Sequence, residues 1–362
     1  MGYYKSAARR DRSAALLICS AIMARTKKRF LLIALLLPIL LLTGLAGGLV
    51  WYADQPLAVR DGQVEVSIAR GSAMRQAAQQ LADAGVDVNP TVLYWMARMG
   101  GKANAIKAGS YAIDAGLSPR QLISKLVKGD VVLREIAFIE GWTFRQMRAA
   151  LAAHPDLLHD TAQMSDVEVL RQIGATESHP EGLFFPDTYR FDKGSSDLDV
   201  LRSAYEQMRN RLEKAWEARA PGVPLKSAYA ALILASIVEK ETGKGSDRPL
   251  IASVFANRLR TGMLLQTDPT VIYGIGESFD GNLRRRDLDR DTPYNTYTRP
   301  GLPPTPIAMP SMASLEAALN PPDSDFYYFV ARGDGSSEFS RNLAEHNRAV
   351  RRFQLTRRSA GS

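Results

Sequence analysis

Cysteine is almost absent from this chain of 362 residues, since Cys19 is the only one. With one thiol the chain cannot close an internal disulfide, and a zinc site built on cysteines is excluded. Histidine is also scarce, with four residues that form no HExxH pattern, and no GxSxG sequence occurs. The signatures of zinc and serine hydrolases are therefore missing, and we expect neither a metal nor another cofactor.

Net positive charge is concentrated at the N-terminus. The chain has a formal net charge of +8, of which residues 1–30 contribute +7 through eight Lys or Arg and one Asp. The other 332 residues carry +1. The basicity is therefore an N-terminal feature, and we expect no nucleic-acid partner.

Charge is absent between Arg29 and Asp54. This stretch exceeds the roughly 20 residues that a helix needs to cross a bilayer. A cleavable signal peptide has a shorter apolar region, of about 7–15 residues, and a buried core helix does not need basic residues at one end only. We therefore predict a retained transmembrane helix over 30–53.

The residues that flank this stretch predict its orientation. Basic residues from Arg25 to Arg29 place the N-terminal side in the cytoplasm, and Trp51 and Tyr52 suit the membrane–water interface at the other end. Residues 1–29 are then a cytoplasmic tail, with Met23 as an alternative start of the chain. Everything after about residue 54 is expected outside the cytoplasmic membrane.

The exported part is predicted to be α+β and to divide near residue 140. Between 64 and 141 short strands alternate with helices, whose predicted N-caps are Ser72, Ser118 and, at the end of the segment, Thr143. Such a subdomain either binds a ligand or acts as a spacer above the membrane. From there on the chain is mainly helical, with long helices over 198–220, 225–243 and 248–262. The segments 263–274 and 292–310 are predicted to be polar surface loops.

Two glutamates end the apolar helix predicted over 225–243. Each residue of an α-helix turns by about 100°, so Glu241 falls on the most apolar face and Glu239 about 160° away. That apolar face is formed by Ile233, Leu234, Ile237 and Val238. Two carboxyls that point in such different directions cannot act together on one bond, so we predict separate roles.

Glu241 is the candidate for chemistry. Desolvation on an apolar face raises the pKa of a carboxyl, and a carboxyl that stays protonated near neutral pH can act as a general acid. The alternative is an ion pair of Glu241 with Arg248 or Arg258 just beyond the core. Glu239 is predicted to support the site from behind without touching substrate.

Several longer motifs carry a resemblance to a known family. They are EGWTFRQM, EGLFFPDTYRF, LASIVEKET, ASVFANRLRTGMLLQTDPTVIYG, YNTY, GLPPTPIAMP and YFVARGDGSSEFS. In this order the chain resembles the YceG-like endolytic murein transglycosylases from about residue 64 to the C-terminus. One departure is Thr305, where a glycine is common in the family's loop.

The resemblance implies a fold and a location. It implies a single N-terminal transmembrane helix, a small LysM-like α+β subdomain over 54–140 and a mainly helical, lytic-transglycosylase-like catalytic domain over 141–362. It also implies a single-pass protein of the cell inner membrane whose catalytic domain is periplasmic. Its partners would be peptidoglycan glycan strands and membrane-bound peptidoglycan synthases.

The resemblance also implies the reaction. The Glu241-Thr242 pair matches the family's catalytic glutamate, which a small residue follows. Glu241 would cleave the MurNAc-β-1,4-GlcNAc bond inside nascent strands with formation of a 1,6-anhydroMurNAc end, and would so terminate glycan polymerisation. Such a reaction consumes no water and needs no metal.

Polar side chains of the two loops are candidates for binding the sugar. They are Gln266, Asp268, Tyr294, Asn295 and Tyr297, with Thr267 beside them. Each is equally suited to fixing its own loop to the scaffold.

Two other functions stay open at this stage. A muramidase would hydrolyse the same bond and would need a second carboxylate, for which Asp187 and Asp268 are the candidates, while Tyr189 is a candidate for lining the groove. A scaffold that only binds peptidoglycan would need no carboxyl on an apolar helix face.

Overall fold

The computed structural model describes residues 34–69 and 71–355. The predicted cytoplasmic tail 1–29, with Cys19 and Met23, lies outside the described residues. Within the described residues helices and strands are mixed, as expected, and one long apolar helix lies near the N-terminus. The described part of the chain forms two compact units, divided between Val132 and Leu133.

Helix α1 (Ala34–Ala53) is the apolar helix, and it covers the described part of the stretch predicted to cross a membrane. Most of its leucines are not packed against the protein. Leu36, Leu40 and Leu45 keep 50%, 73% and 66% of their surface exposed. An uncharged helix of 20 residues with such an apolar surface is long enough to span a bilayer.

The rest of the first unit is a two-stranded antiparallel sheet with three helices. The elements are β1 (Gln63–Ile68), α2 (Met74–Asp83), α3 (Pro90–Met99), β2 (Gly109–Asp114) and α4 (Pro119–Lys128). The inward side chains of both strands, such as Val66 opposite Tyr111, pack with Leu81, Leu93 and Leu122 of the helices into one core.

Capping residues define these helices, with one difference from the sequence prediction. The Ser118 hydroxyl accepts a hydrogen bond from the Gln121 N–H and caps α4, as predicted. Ser72 is not the cap of α2, because that helix starts one residue later with Ala73 at the capping position. The structure adds α3, which was not predicted, with Asn89 as its N-cap.

The second unit is built around helices. Its first elements are β3 (Leu133–Ala137), α5 (Phe144–Ala153), β4 (Leu157–Leu158), α6 (Asp166–Ile173), β5 (Thr188–Asp192), β6 (Ser195–Ser196) and α7 (Asp197–Glu217). The remaining elements are α8 (Ala228–Glu241), α9 (Arg248–Thr261), α10 (Asp268–Ile275), α11 (Arg285–Asp289), α12 (Met312–Leu319), β7 (Tyr328–Ala331), β8 (Ser337–Ser340) and α13 (Leu343–Val350).

Strand pairs connect distant parts of this unit. β3 pairs with β5 and β7 pairs with β8, both antiparallel, whereas the two-residue strands β4 and β6 are parallel. The β3–β5 pair brings the segment that leads into α5 next to the segment that follows Glu181. Both segments reappear in the candidate site.

Helix α8 is the centre of the second unit. It packs against α7, α9, α10 and α12, and every residue from Ala231 to Val238 is buried. The prediction of one apolar face was too narrow, because this helix is enclosed on all sides. Its one buried hydroxyl, Ser236, donates to the Ile233 carbonyl and accepts from the Ile307 N–H.

Helix α10 replaces part of a predicted loop. The segment 263–274 was expected to be irregular, but a helix begins at Asp268, with Pro269 in its first turn. Proline suits this position because the first turn of a helix needs no N–H donor there. The expectation for this segment was therefore wrong, although the residues before Asp268 do form a loop.

Two glycines with left-handed backbones test how tightly the second unit packs. A Cβ on Gly182 (φ +79°) would lie 2.4 Å from the Pro306 Cβ, whereas one on Gly174 (φ +82°) would meet nothing within 4 Å.

Gly174→Ala should cost about 1–2 kcal/mol of stability from backbone strain alone. Gly182→Ala should add a steric cost of about 1–3 kcal/mol. Thermal unfolding of both variants checks this, and equal melting temperatures would contradict it.

Candidate active site

Glu241 is the last residue of α8. The helix stops there because Thr242 adopts an extended backbone, and its hydroxyl accepts a hydrogen bond from the Lys244 N–H at 3.0 Å. From Thr242 the chain continues through Lys244 into a short turn at Gly245–Asp247. The Glu241 side chain is thereby left at the edge of the core, partly exposed.

The surroundings of the Glu241 carboxyl favour its protonated form. Burial raises its pKa to about 7. A hydrogen bond from the Thr267 hydroxyl opposes the shift, the nearby Asp268 adds to it, and the more distant Arg258 opposes it. Near neutral pH this carboxyl can therefore either give or take a proton.

Arg258 does not form the ion pair that the sequence left open as an alternative. Its guanidinium donates to the carbonyls of Leu264, Leu265 and Tyr327 at 3.2, 2.8 and 2.8 Å. The side chain is buried, and burial lowers its pKa. Arg258 therefore fixes the chain just before Gln266 and acts on Glu241 only as a neighbouring charge.

Glu239 has a different environment. Its side chain is 6% exposed and lies 3.4 Å from the Arg248 guanidinium. Its Oε2 accepts hydrogen bonds from the Ser311 N–H at 2.9 Å and the Ser311 hydroxyl at 2.5 Å. Since Ser311 caps α12, Glu239 ties the end of α8 to the start of α12. These contacts suit a supporting role for Glu239, which stays a prediction.

The loop before α10 holds the partner of Glu241 in place. The Thr267 N–H donates to the Thr296 hydroxyl at 3.1 Å, and the Gln266 N–H donates to the Thr296 carbonyl at 3.1 Å. Among the described residues, Gln266 (φ +48°) is the one non-glycine residue with a left-handed backbone. Its side chain is exposed, and its role in binding the sugar stays a prediction.

Asp268 and Tyr297, two further predicted binding residues, contact each other. The Tyr297 hydroxyl donates to Asp268 Oδ1 at 2.5 Å, and burial raises the pKa of this tyrosine. Asp268 acts on the Glu241 carboxyl through its charge and remains exposed, and the charge of Glu241 in turn raises the pKa of Tyr297. The structure thus brings these two residues to the Glu241 carboxyl.

Asn295 lies in the same loop but is occupied by it. Its amide donates to the carbonyls of Leu288 and Arg290 at 2.9 and 2.7 Å, and its Oδ1 accepts from the Tyr297 N–H at 2.8 Å. With 1% of its surface exposed, Asn295 has the loop-fixing role that was the alternative to sugar binding.

A cleft of about 810 Å³ opens beside these residues in the second unit. Lys240 and Pro269, the sequence neighbours of Glu241 and Asp268, line it together with Tyr273, Tyr294 and Glu181. The ring centroids of Tyr273 and Tyr294 lie 4.9 Å apart. A cleft of this size with aromatic walls and a few polar groups is typical of a small-molecule or sugar site.

Glu181 is the residue that sequence reasoning missed. It is 4% exposed, and its carboxyl accepts hydrogen bonds from the Phe144 N–H and the Tyr273 hydroxyl, both at 3.0 Å. Burial raises its pKa to about 7, and these hydrogen bonds oppose the shift. A glutamate placed directly before the apolar run of EGLFFP was the available signal of burial.

The two candidates chosen from that same motif lie elsewhere. Asp187 is exposed and 3.9 Å from the Arg211 guanidinium. Tyr189 is buried and donates to the Phe185 carbonyl at 2.7 Å, which is a packing role. Within residues 34–69 and 71–355 no group of His, Cys, Asp or Glu side chains could hold a metal ion.

The fold and the site together suit acid–base chemistry, because the Glu241 carboxyl has a raised pKa and follows Lys240, which lines the cleft. A model of the YceG-like family matches residues 66–352. The chain therefore belongs to the YceG-like family.

Curated relatives agree with this assignment. An endolytic murein transglycosylase of Bacillus subtilis is 32% identical over 307 residues, which cover 80% of this chain and 84% of the relative. One from Streptococcus pneumoniae serotype 2 is 28% identical over 326 residues, and the match spans 58% of that longer relative. A crystal structure of a YceG-like protein from Listeria monocytogenes is 29% identical, with a TM-score of 0.49, and covers 80% of this chain and 99% of that one.

Replacing the hydroxyl partner of Glu241 should move its titration. Thr267→Val removes the hydrogen bond that favours the carboxylate, so the pKa of Glu241 should rise further. An acid is active while protonated, so the alkaline limb of the pH–rate profile should shift to higher pH.

The matched control is Thr270→Val, because Thr270 is equally buried and bonds Thr267 and Thr296 but not Glu241. Its profile should keep the position of the parent limb. Identical shifts in both variants would mean that the hydroxyl of Thr267 does not set the pKa.

Proposed function

We propose that this protein is a peptidoglycan lytic transglycosylase with Glu241 as its catalytic acid and base. Its relatives from Bacillus subtilis and Streptococcus pneumoniae are named endolytic murein transglycosylases. The observation that carries the proposal for the site is the Glu241 carboxyl, whose pKa of about 7 lets it serve in both protonation states. The substrate is the glycan strand of peptidoglycan.

Glu241 begins the reaction as an acid. The protonated carboxyl donates its proton to the oxygen of the β-1,4 bond as that bond breaks and positive charge develops at C1 of MurNAc. The Thr267 hydroxyl and the nearby Arg258 then stabilise the carboxylate that remains. Asp268, held by Tyr297, adds negative charge beside the developing cation.

Glu241 completes the reaction as a base. Its carboxylate takes the proton of the C6 hydroxyl of the same sugar, and that oxygen closes on C1 as a 1,6-anhydro ring. The proton given in the first step is recovered in the second, so the enzyme returns to its starting state without water. One carboxyl is sufficient because the nucleophile belongs to the substrate.

The hydrolytic alternative needs a second carboxylate that activates water. Asp187 is poorly placed, since it is exposed just before β5 and lies beside Arg211. Asp268 is the nearer of the two original candidates, because it influences the Glu241 pKa directly. Glu181 is bonded by Phe144 and Tyr273 and holds α5 and α10 together, which favours a structural role over water activation.

The finer features of the fold and location belong to the same proposal. We propose that residues 54–140 form a LysM-like subdomain that binds glycan and that 141–362 form the catalytic domain. α1 would anchor the protein in the cell inner membrane with the N-terminus in the cytoplasm, and the catalytic domain would be periplasmic. There it would terminate nascent strands beside membrane-bound peptidoglycan synthases.

Two matched substitutions test the assignment of the acid. Glu241→Gln keeps the shape of the side chain but has no proton to give, so strand cleavage should fall to background while the melting temperature stays near that of the parent. Glu239→Gln weakens the link to Arg248 and Ser311, so it should lower stability and retain part of the turnover. The reverse pattern would make Glu239 the acid.

The chemical form of the product tests the reaction class. Purified protein acting on uncrosslinked glycan strands should release fragments that end in 1,6-anhydroMurNAc, lighter by one water than the products of hydrolysis. Mass spectrometry distinguishes the two, and fragments of many lengths at early times would show cleavage inside strands. Reducing MurNAc ends would overturn the transglycosylase proposal, and Asp268→Asn would then be the first variant to examine.

A further inference from the structure

Two large apolar side chains of α3 are exposed in the first unit. Trp95 and Met99 keep 49% and 64% of their surface accessible. Between Asp54 and Val132, no other described large hydrophobic side chain is exposed to this degree. They are four positions apart on one helix and therefore lie on the same face, one turn from each other.

The end of α1 is fixed to this unit. The Asn89 N–H, at the N-cap of α3, donates to the Tyr52 hydroxyl at 3.2 Å. Asp54 pairs with Arg120 at 2.8 Å, and the Leu57 N–H donates to the Leu117 carbonyl at 2.9 Å. An exposed ion pair alone contributes little, but these contacts together hold α3 and α1 in one arrangement.

The C-terminal end of α3 lies beside the apolar part of α1. A hollow of about 310 Å³ is lined by Leu49 and Val50 of α1 and by Met96 and Met99 of α3. Leu49 and Val50 belong to the uncharged stretch that ends at Asp54, and Trp51 beside them is 67% exposed. Met99 is therefore at the level at which α1 would leave a bilayer.

Charge on α3 also favours a membrane surface. The helix contains no acidic residue, and Arg98 stands exposed beside Trp95 on the helix surface. Lys102 follows three residues after Met99 and lines the same hollow. Tryptophan prefers the membrane–water interface, and basic side chains near a bilayer attract anionic headgroups.

We propose that the exposed face of α3, formed by Trp95 and Met99 with Arg98 and Lys102, is a membrane-contact surface. It rests in the outer headgroup layer of the bilayer that α1 crosses. Together with α1 it gives the first unit two attachments to the membrane and so restricts the tilt of that unit. The inference rests on the proposed anchor and is independent of the lyase activity.

Quenching of tryptophan fluorescence tests the surface directly. The full chain is reconstituted into vesicles of phosphatidylethanolamine and phosphatidylglycerol that carry bromine near the headgroups. The chain has four tryptophans, and Trp51 must be removed because it reports on α1. We expect the Trp51→Phe variant to keep clear bromine quenching of its tryptophan fluorescence. The double variant Trp51→Phe, Trp95→Phe should lose this remaining quenching.

Both substitutions replace exposed side chains, so folding is preserved. As a matched pair, Met99→Glu in the Trp51→Phe background should lose quenching of Trp95, and Met99→Leu should keep it. Equal quenching in Trp51→Phe and in the double variant would overturn the membrane-contact surface. If neither the parent nor Trp51→Phe showed bromine quenching, the proposed anchor would be overturned as well. The product assay would still test the lyase activity separately.

Discussion

The complete burial of α8 is the constraint on which the candidate site depends. Its residues from Ala231 to Val238 are enclosed by four other helices. The helix therefore cannot rotate about its axis without disrupting this packing. Ser236 adds a hydrogen bond to the Ile307 N–H from inside the core. The two carboxyls at its end therefore point in fixed directions, Glu239 toward α12 and Glu241 toward α10. Their separate environments follow from helix geometry combined with this enclosure.

Much of this could be predicted from the sequence because the signals were local. The apolar stretch of α1, the caps Ser118 and Thr143, and the end of α9 at Gly262 each depend on a few adjacent residues. The direction of Glu241 was also predictable from the 100° turn per residue. That prediction used one apolar face, however, whereas the structure buries the helix all round, so Glu239 is buried as well.

The features that were missed depend on contacts between distant residues. The start of α10 is fixed by the bond from Thr267 to Thr296 and by Arg258, which holds the preceding carbonyls. Asn295 looked like a sugar-binding residue because its type suits the role, but its amide is used up by Leu288 and Arg290. Glu181 was overlooked because its partners, Phe144 and Tyr273, are 37 and 92 positions away in sequence.

The placement of the arginines explains why the pKa of Glu241, the proposed acid, is raised. A guanidinium bonded to this carboxyl would lower its pKa and leave it ionised at neutral pH. Two arginines are within reach of the helix end, yet Arg248 pairs with Glu239, and Arg258 is committed to three backbone carbonyls. Glu241 is left with the neutral hydroxyl of Thr267, which donates one hydrogen bond without cancelling the effect of burial. Arg258 stays close enough to stabilise the carboxylate once the proton has left, so the same arrangement suits both halves of a cycle that uses one carboxyl.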